Sequence, residues 1–305
     1  MNSPFVRKSE YGRLLVTVSR SPFYIRTALR LAGCNGIAVN GMGRFWKDLL
    51  YLREIPQIDQ FELHGFALNC LDSLDGLGAQ SQLKSISLDL QGKCKIDWTS
   101  FPKLRKIFTE NCFVTPLLWR CNDLDNLTLA TCSEPDWQNI SLLQGLNHVA
   151  VIRGGMSNLN GLSIENLKSL EIHHNKNLVS VGENRHLPNL ESLLFTHCKK
   201  LNNLSGIGRL QSLKKIGFED CGTLDSLSPI LDLEQLEEIW FFGTRIADGK
   251  IKKILSMPSL RLIGFDDHGS YDIGLKESLL ALNVPKMDWP LMLREPKKWS
   301  KLTQS

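Results

Sequence analysis

The chain has 305 residues, of which 42% are hydrophobic and 22% charged, the mix of an ordinary folded globular protein. Its 36 Lys and Arg against 32 Asp and Glu leave a formal charge of +4, too small for a general electrostatic pull towards nucleic acid. No run approaches the roughly 20 apolar residues of a membrane span. Leu14–Val18 is too short for a signal-peptide core and is closed by Arg20, so a cytoplasmic setting without membrane or nucleic-acid partners is the expectation.

Taken in order, Gly12 to Ser19 alternates like a strand and Tyr24 to Ala32 has helical spacing. This segment is basic, with Arg7, Lys8, Arg13, Arg20, Arg26 and Arg30 facing only Glu10. A repeating pattern begins at Cys34-Asn-Gly-Ile37-Ala-Val39, followed by Phe45–Leu52, whose apolar residues fall at helical spacing. Further copies start near Ile58, Leu83, Leu104, Leu124, Leu146, Leu167, Leu190, Leu213, Leu236 and Leu260, 20 to 25 residues apart. The clearest pair is Leu190-Glu-Ser-Leu193-Leu-Phe195-Thr-His-Cys198 and Leu213-Lys-Lys-Ile216-Gly-Phe218-Glu-Asp-Cys221. Positions one, four and six are apolar, and position nine is cysteine. Between them Leu201, Leu204, Ile207 and Leu210 recur at intervals of three. Other intervening segments, such as Ser180 to Pro188, are rich in Gly, Asn, Ser and Pro and predict irregular or 3₁₀ turns. Lys276 to Leu282 predicts a short helix, and a basic tail ends the chain.

A short alternating strand, a turn and a three-spaced apolar series at this period resemble the leucine-rich repeat, in its free-standing, short-repeat bacterial form. The resemblance implies an α/β solenoid: a horseshoe of about ten to eleven repeats, with a parallel concave sheet and a mostly irregular or 3₁₀ convex side. Residues 1–33 become an N-terminal cap, 34–282 the solenoid, and 283–305 a C-terminal cap and tail, because end repeats need their apolar layer covered. Cys112, Cys132, Cys198 and Cys221 share position nine, where a buried thiol acts as a small apolar group with a weak donor. The eight cysteines lack the CxxC spacing of a zinc site, and free thiols are expected.

Strand side chains alternate sides, so positions three, five, seven and eight of each copy face solvent. The partner-binding candidates drawn from them are Phe108, His148, Arg153, His173, His174, His197, Glu219, Asp220, Glu238, Trp240, Phe242, Asp266 and Asp267. Trp240 and Phe242 are expected to be exposed among carboxylates, the make-up of a binding hot spot, unless the tail folds over them. His174, His197 and Asp220 share one column on successive strands about 4.8 Å apart. They are read as solvent-exposed side chains, with a metal site or a pH-sensitive His197–Asp220 pair as alternatives.

No glycine-rich phosphate loop, GxSxG, HExxH or paired CxxC occurs. The reading is non-enzymatic, with no cofactor, no metal and no small-molecule substrate. The resemblance implies protein–protein recognition on the concave face, here of a partner with a basic surface. An immunity or inhibitor protein that neutralises a toxin, such as a nuclease, is the sharper alternative. A regulatory or scaffold subunit is the other.

Overall fold

The computed structural model describes residues 5–17, 21–40, 48–64, 73–89, 96–110, 117–131, 137–183 and 186–284. The chain forms two compact units, Met1–Thr131 and Cys132–Ser305. In both, the first strand of each predicted copy occupies positions three to six or seven, so every one of the ten starts from Ile58 to Leu260 precedes a strand by two residues.

The first unit opens with an antiparallel hairpin of β1 (Phe5–Ser9) and β2 (Gly12–Thr17). Helix α1 (Pro22–Ala32) then returns the chain so that β3 (Gly36–Asn40) pairs parallel to β2. The helix is closed by local chemistry at both ends. Ser21 Oγ accepts the Tyr24 N–H, Pro22 occupies the first turn, and Gly33 turns left-handed at φ 60° to donate to Arg30. Strands β4 (Gln60–His64), β5 (Ser85–Asp89), β6 (Lys106–Glu110) and β7 (Asn126–Ala130) follow in parallel order. Their fourth positions align as Ile37, Phe61, Ile86, Ile107 and Leu127, all fully buried. β1 was not read from the sequence, since Phe5–Ser9 does not alternate. The hairpin is tied across to β4 by Arg7–Glu62 and Ser9–Gln60, and to β6 by Glu10–Lys106 at 2.9 Å. Of the predicted helix over Phe45–Leu52, the first three residues lie outside the described set, and Leu50–Glu54 forms a 3₁₀ turn.

The second unit begins with a single turn, α2 (Trp137–Ile140), and continues as β8 (His148–Ile152), β9 (Ser169–His173), β10 (Ser192–Thr196) and β11 (Lys215–Glu219). After β12 (Thr223–Leu224) come β13 (Glu238–Phe241), β14 (Arg245–Ile246), β15 (Leu262–Phe265) and α3 (Leu275–Ala281). β8, β9, β10, β11, β13 and β15 make one parallel run, while β12 and β14 pair separately. Fixed register lines up two internal columns. Position four gives Val149, Leu170, Leu193, Ile216, Ile239 and Ile263; position six gives Val151, Ile172, Phe195, Phe218, Phe241 and Phe265. Phe195 stacks on Phe218 at 5.6 Å and Phe241 on Phe265 at 4.9 Å. Each fully buried side chain of this size contributes about 1.5–3 kcal/mol. A single repeat could not bury both its faces alone, so stability is shared between neighbours. Between strands the chain turns through 3₁₀ segments at Ile207–Arg209, Ser228–Asp232 and Lys252–Ser256.

Position nine closes each turn beneath the strands. Cys198 Sγ reaches the carbonyls of Ile172 (3.5 Å) and Thr196 (3.6 Å). Cys221 repeats this one turn on, to Phe195 and Glu219 at 3.5 Å each. Thr244 repeats it again with a hydroxyl, to Phe218 at 3.2 Å and Phe242 at 3.3 Å. Both cysteines are buried free thiols as expected, and the hydrogen bond to Cys198, with burial, pushes the Cys221 thiol well above its ordinary range. Cys112 and Cys132 lie outside the described residues.

Position two carries a second ladder. From β9 onward it reads Lys168, Glu191, Lys214, Glu237 and Arg261, alternating in sign, after the uncharged Asn147 of the β8 copy. The backbone N–H of each donates to the carbonyl of the one before, from Glu191 to Lys168 (2.9 Å) through Arg261 to Glu237 (2.8 Å). Side chains follow suit, with Lys214–Glu191 at 3.2 Å and Arg261–Glu237 at 4.0 Å. Opposite charges facing across strands contribute roughly 0.2–1 kcal/mol per pair, nearer the low end for side chains this exposed, and like charges facing one another destabilise.

Candidate interaction face

Phe108 stands half-buried on β6 in the first unit, in register with Ser87 and Thr128. The other twelve candidates belong to the second unit, on the sheet face opposite the apolar columns or on the turn at its end.

The position-eight residues share an unusual backbone. Arg153, His174, His197 and Asp220 have φ of 56°, 54°, 54° and 49°, and Gly243 completes the series at 60°. Non-glycine residues enter this region at a cost of about 1–2 kcal/mol each. The reason is the ladder: Arg153, His174, His197 and Asp220 donate their N–H groups, at 2.8 Å each, to His173, Thr196, Glu219 and Phe242 of the following repeat. The left-handed turn thus extends the sheet by one hydrogen bond before the chain drops to position nine. It also fixes the direction of four exposed or half-exposed side chains in a row.

Within that row the His174 and His197 rings stack, 4.3 Å between centroids and 22° between planes. His197 Nε2 lies 3.7 Å from Asp220 Oδ2. Partial burial, then the neighbouring His197, His173 and Arg153, hold the His174 imidazole below its ordinary range. No group of three or more potential ligands able to hold a metal occurs among the described residues.

One column inward, His173 bridges two strands. Its Nε2 meets Glu171 Oε2 at 2.8 Å and its Nδ1 meets Thr196 Oγ1 at 2.7 Å. Burial pushes the Glu171 carboxyl up, but the hydrogen bond from His173 and the charges of His148 and His173 outweigh it and leave the group low. The carboxylate therefore takes the Nε2 proton. The Thr196 hydroxyl can donate to a neutral ring or accept from a charged one, so the bridge survives either state. An open groove of about 490 Å³ lies beside it, bounded by His148, Lys168, Glu171, Leu194, Lys215 and Trp240 among others.

The expectation that Trp240 and Phe242 are exposed is corrected: they are 2% and 3% accessible. For Trp240 the cause is its neighbours. Gly217 and Gly264 stand in register on either side of it. The indole lies over Gly217 so closely that an added Cβ there would sit under 3.0 Å from three ring atoms. Its Nε1 donates to Glu219 at 3.1 Å. A flat ring laid over a residue without a side chain leaves the solvent without flipping the strand. The carboxylates around it are engaged as well. Glu238 pairs with Lys215 at 3.3 Å, Asp266 accepts the Gly243 N–H at 2.6 Å, and Asp267 accepts the Leu275 N–H at 2.6 Å where α3 begins. These groups hold backbone and neighbours first, and the second oxygen of Glu238 is itself buried.

No protein-family model matches the chain, and no curated protein matches it by sequence. Among solved structures it is similar to the internalin InlF of Listeria monocytogenes, at 13% identity and a TM-score of 0.46, over 83% of this chain and 94% of that one. It is also similar to the functional domain of InlJ from the same organism, which includes a cysteine ladder, at 16% identity and a TM-score of 0.44, over 82% and 62% of the two chains. A leucine-rich-repeat protein of Leptospira interrogans matches at 16% identity and 0.43, over 83% and 82%. At such scores the likeness carries no argument of its own. The leucine-rich-repeat solenoid is established by the register, the repeat spacing and the position-nine ladder.

Proposed function

We propose that this protein is a non-enzymatic interaction module whose partner docks on the exposed sheet face of the second unit. The observation that carries this reading is the position-eight row. Arg153, His174, His197 and Asp220 project from backbone that is hydrogen-bonded into the sheet, so a charged surface is presented at little entropic cost. Carboxylates of Glu219, Asp220, Asp266 and Asp267 each keep acceptor capacity beyond their internal bonds, which suits a protein with a basic surface. Neutralising a toxin that has a basic active site is the sharper form of this reading, and a regulatory or scaffold role the broader one. Cys34, Cys121, Cys198 and Cys221 are unpaired thiols, which suits a reducing, cytoplasmic setting.

The Thr196–His173–Glu171 chain has the parts of a hydroxyl–imidazole–carboxylate relay, yet we assign it no reaction. The nearest N–H groups, of His174 and His197, are donated into the ladder and leave neither for an oxyanion. The test is site-specific photo-crosslinking in the native host, with the crosslinker at His197, Glu219 or Asp220, and at Asn202 or Lys253 as controls. One protein captured from the first three sites alone supports the reading. Capture from Asn202 and Lys253 alone would place the interface off the sheet face.

A further inference from the structure

Among the described residues of the first unit, three of the five exposed large apolar groups lie on α1, facing away from the core that the helix covers, the other two being Phe5 and Leu50. Ile25, Ala28 and Leu29 are buried beneath it. Phe23 and Leu31 are 74% and 75% exposed, and Tyr24 43%. At helical spacing Phe23, Thr27 and Leu31 follow one another along the outer surface, and Arg26 and Arg30 flank them. Exposed apolar residues scattered singly are ordinary, whereas a run of them beside a concavity marks a docking surface. Such a concavity is present. An open groove of about 640 Å³ lies between α1 and the segment entering β4, with Phe23, Leu29, Arg30, Pro56 and Ile58 in its lining. Arg26 also lines it and is held in place by donating to the Glu54 carbonyl at 3.1 Å. Among the described residues, no Asp or Glu lies in the helix or lines the groove.

We propose that the outer face of α1 and this groove dock a segment of a protein partner that presents an apolar side chain flanked by Asp or Glu. The groove takes the apolar knob, and the guanidinium forks of Arg26 and Arg30 match carboxylates in bidentate geometry. An anionic bilayer shares the charge complementarity but is flat and would leave the groove unfilled. This surface lies on the other unit from the sheet-face reading and calls for the opposite partner charge, so the two stand or fall separately.

The probes are two displayed libraries of short peptides rich in Leu, Ile and Phe, one supplemented with Asp and Glu and the other with Lys and Arg, panned on the full chain. The proposal expects enrichment from the acidic library only. The best peptide should then lose at least about tenfold in affinity with Phe23→Gln plus Leu31→Gln, and likewise with Arg26→Gln plus Arg30→Gln. His197→Ala should leave its affinity unchanged. Thermal unfolding checks each variant, and the arginine pair keeps the apolar strip intact, so a folding defect in one pair leaves the other decisive. Enrichment from the basic library, from neither library, or of peptides indifferent to both pairs overturns the proposal. So does co-sedimentation with phosphatidylserine vesicles that is lost in the same variants, which would make the occupant a bilayer.

Discussion

Replacing Gly217 by alanine should destabilise the protein through Trp240. The added Cβ falls under 3.0 Å from Cε2, Cζ2 and Nε1 of the indole, whereas unstrained carbon contacts lie at about 3.5–4.0 Å. The ring must lift by about 1 Å or swing off the strand. Overpacking of this kind costs about 1–3 kcal/mol. Losing the 3.1 Å bond from Nε1 to Glu219 adds about 1 kcal/mol. Alanine's lower chain entropy returns about 0.5–1 kcal/mol, leaving a net loss of about 1–3 kcal/mol. Urea unfolding of the full chain by far-ultraviolet circular dichroism gives the loss, and the near-ultraviolet band of the ring should weaken with it. A double-mutant cycle isolates the cause. With Trp240→Leu already present, Gly217→Ala should be neutral or slightly stabilising, a coupling of at least about 1 kcal/mol. An equal cost in both backgrounds, or a cost below about 0.5 kcal/mol in the wild type, would refute the seat assigned to the ring.

Glycine at position eight should reverse the usual sign of such changes: His174→Gly or Asp220→Gly is expected to be neutral to stabilising, while His174→Val should cost at least about 1 kcal/mol in the same unfolding assay, because a β-branched residue is poorly tolerated at φ 54°. Cys198 and Cys221 should resist a thiol reagent in the native state, as mass spectrometry of labelled peptides would report; Cys221→Thr should preserve stability as Thr244 does, and Cys221→Val should lose about 1 kcal/mol for the missing donor. Acid should lower the stability of the second unit in two pH windows. The low Glu171 carboxyl supplies stability that is complete above its ordinary value of 4.5 and is lost as pH falls through the folded value. Protonating the low His174 imidazole likewise costs the folded chain stability, a cost absent above 6.5 and complete once pH has fallen below the folded value. A pH series of urea midpoints should therefore flatten in its upper window with His174→Asn and in its lower window with Glu171→Gln.

The strands were legible because each copy writes its own inward set at positions one, four and six, and parallel pairing then follows from repetition. What escaped was whatever depends on the neighbouring copy. Trp240 looked exposed when its strand was read alone, although Gly217 and Gly264 at the same position of adjacent copies were the available signal. The left-handed turn was hidden among Arg153, His174, His197 and Asp220, with only Gly243 hinting at the backbone beneath. Asp266 and Asp267 read as a free acidic rim because nothing in sequence links them to the N–H groups of Gly243 and Leu275. The exposed strip on α1 was visible as helical spacing, but spacing alone does not say which face the core leaves uncovered.

The alternating ladder at position two gives the second unit a parity. Deleting one repeat, such as residues 190–212, would set Lys168 beside Lys214, and deleting the next would set Glu191 beside Glu237. Each such junction exchanges an attraction for a repulsion, a swing of about 1 kcal/mol or less between side chains this exposed, largest at low salt. Removing both repeats, residues 190–235, instead joins Lys168 to Glu237 and restores the sequence of signs. Shortened chains with an even number of repeats removed should therefore fold more firmly than those missing one, and the array can be lengthened or trimmed most easily two turns at a time.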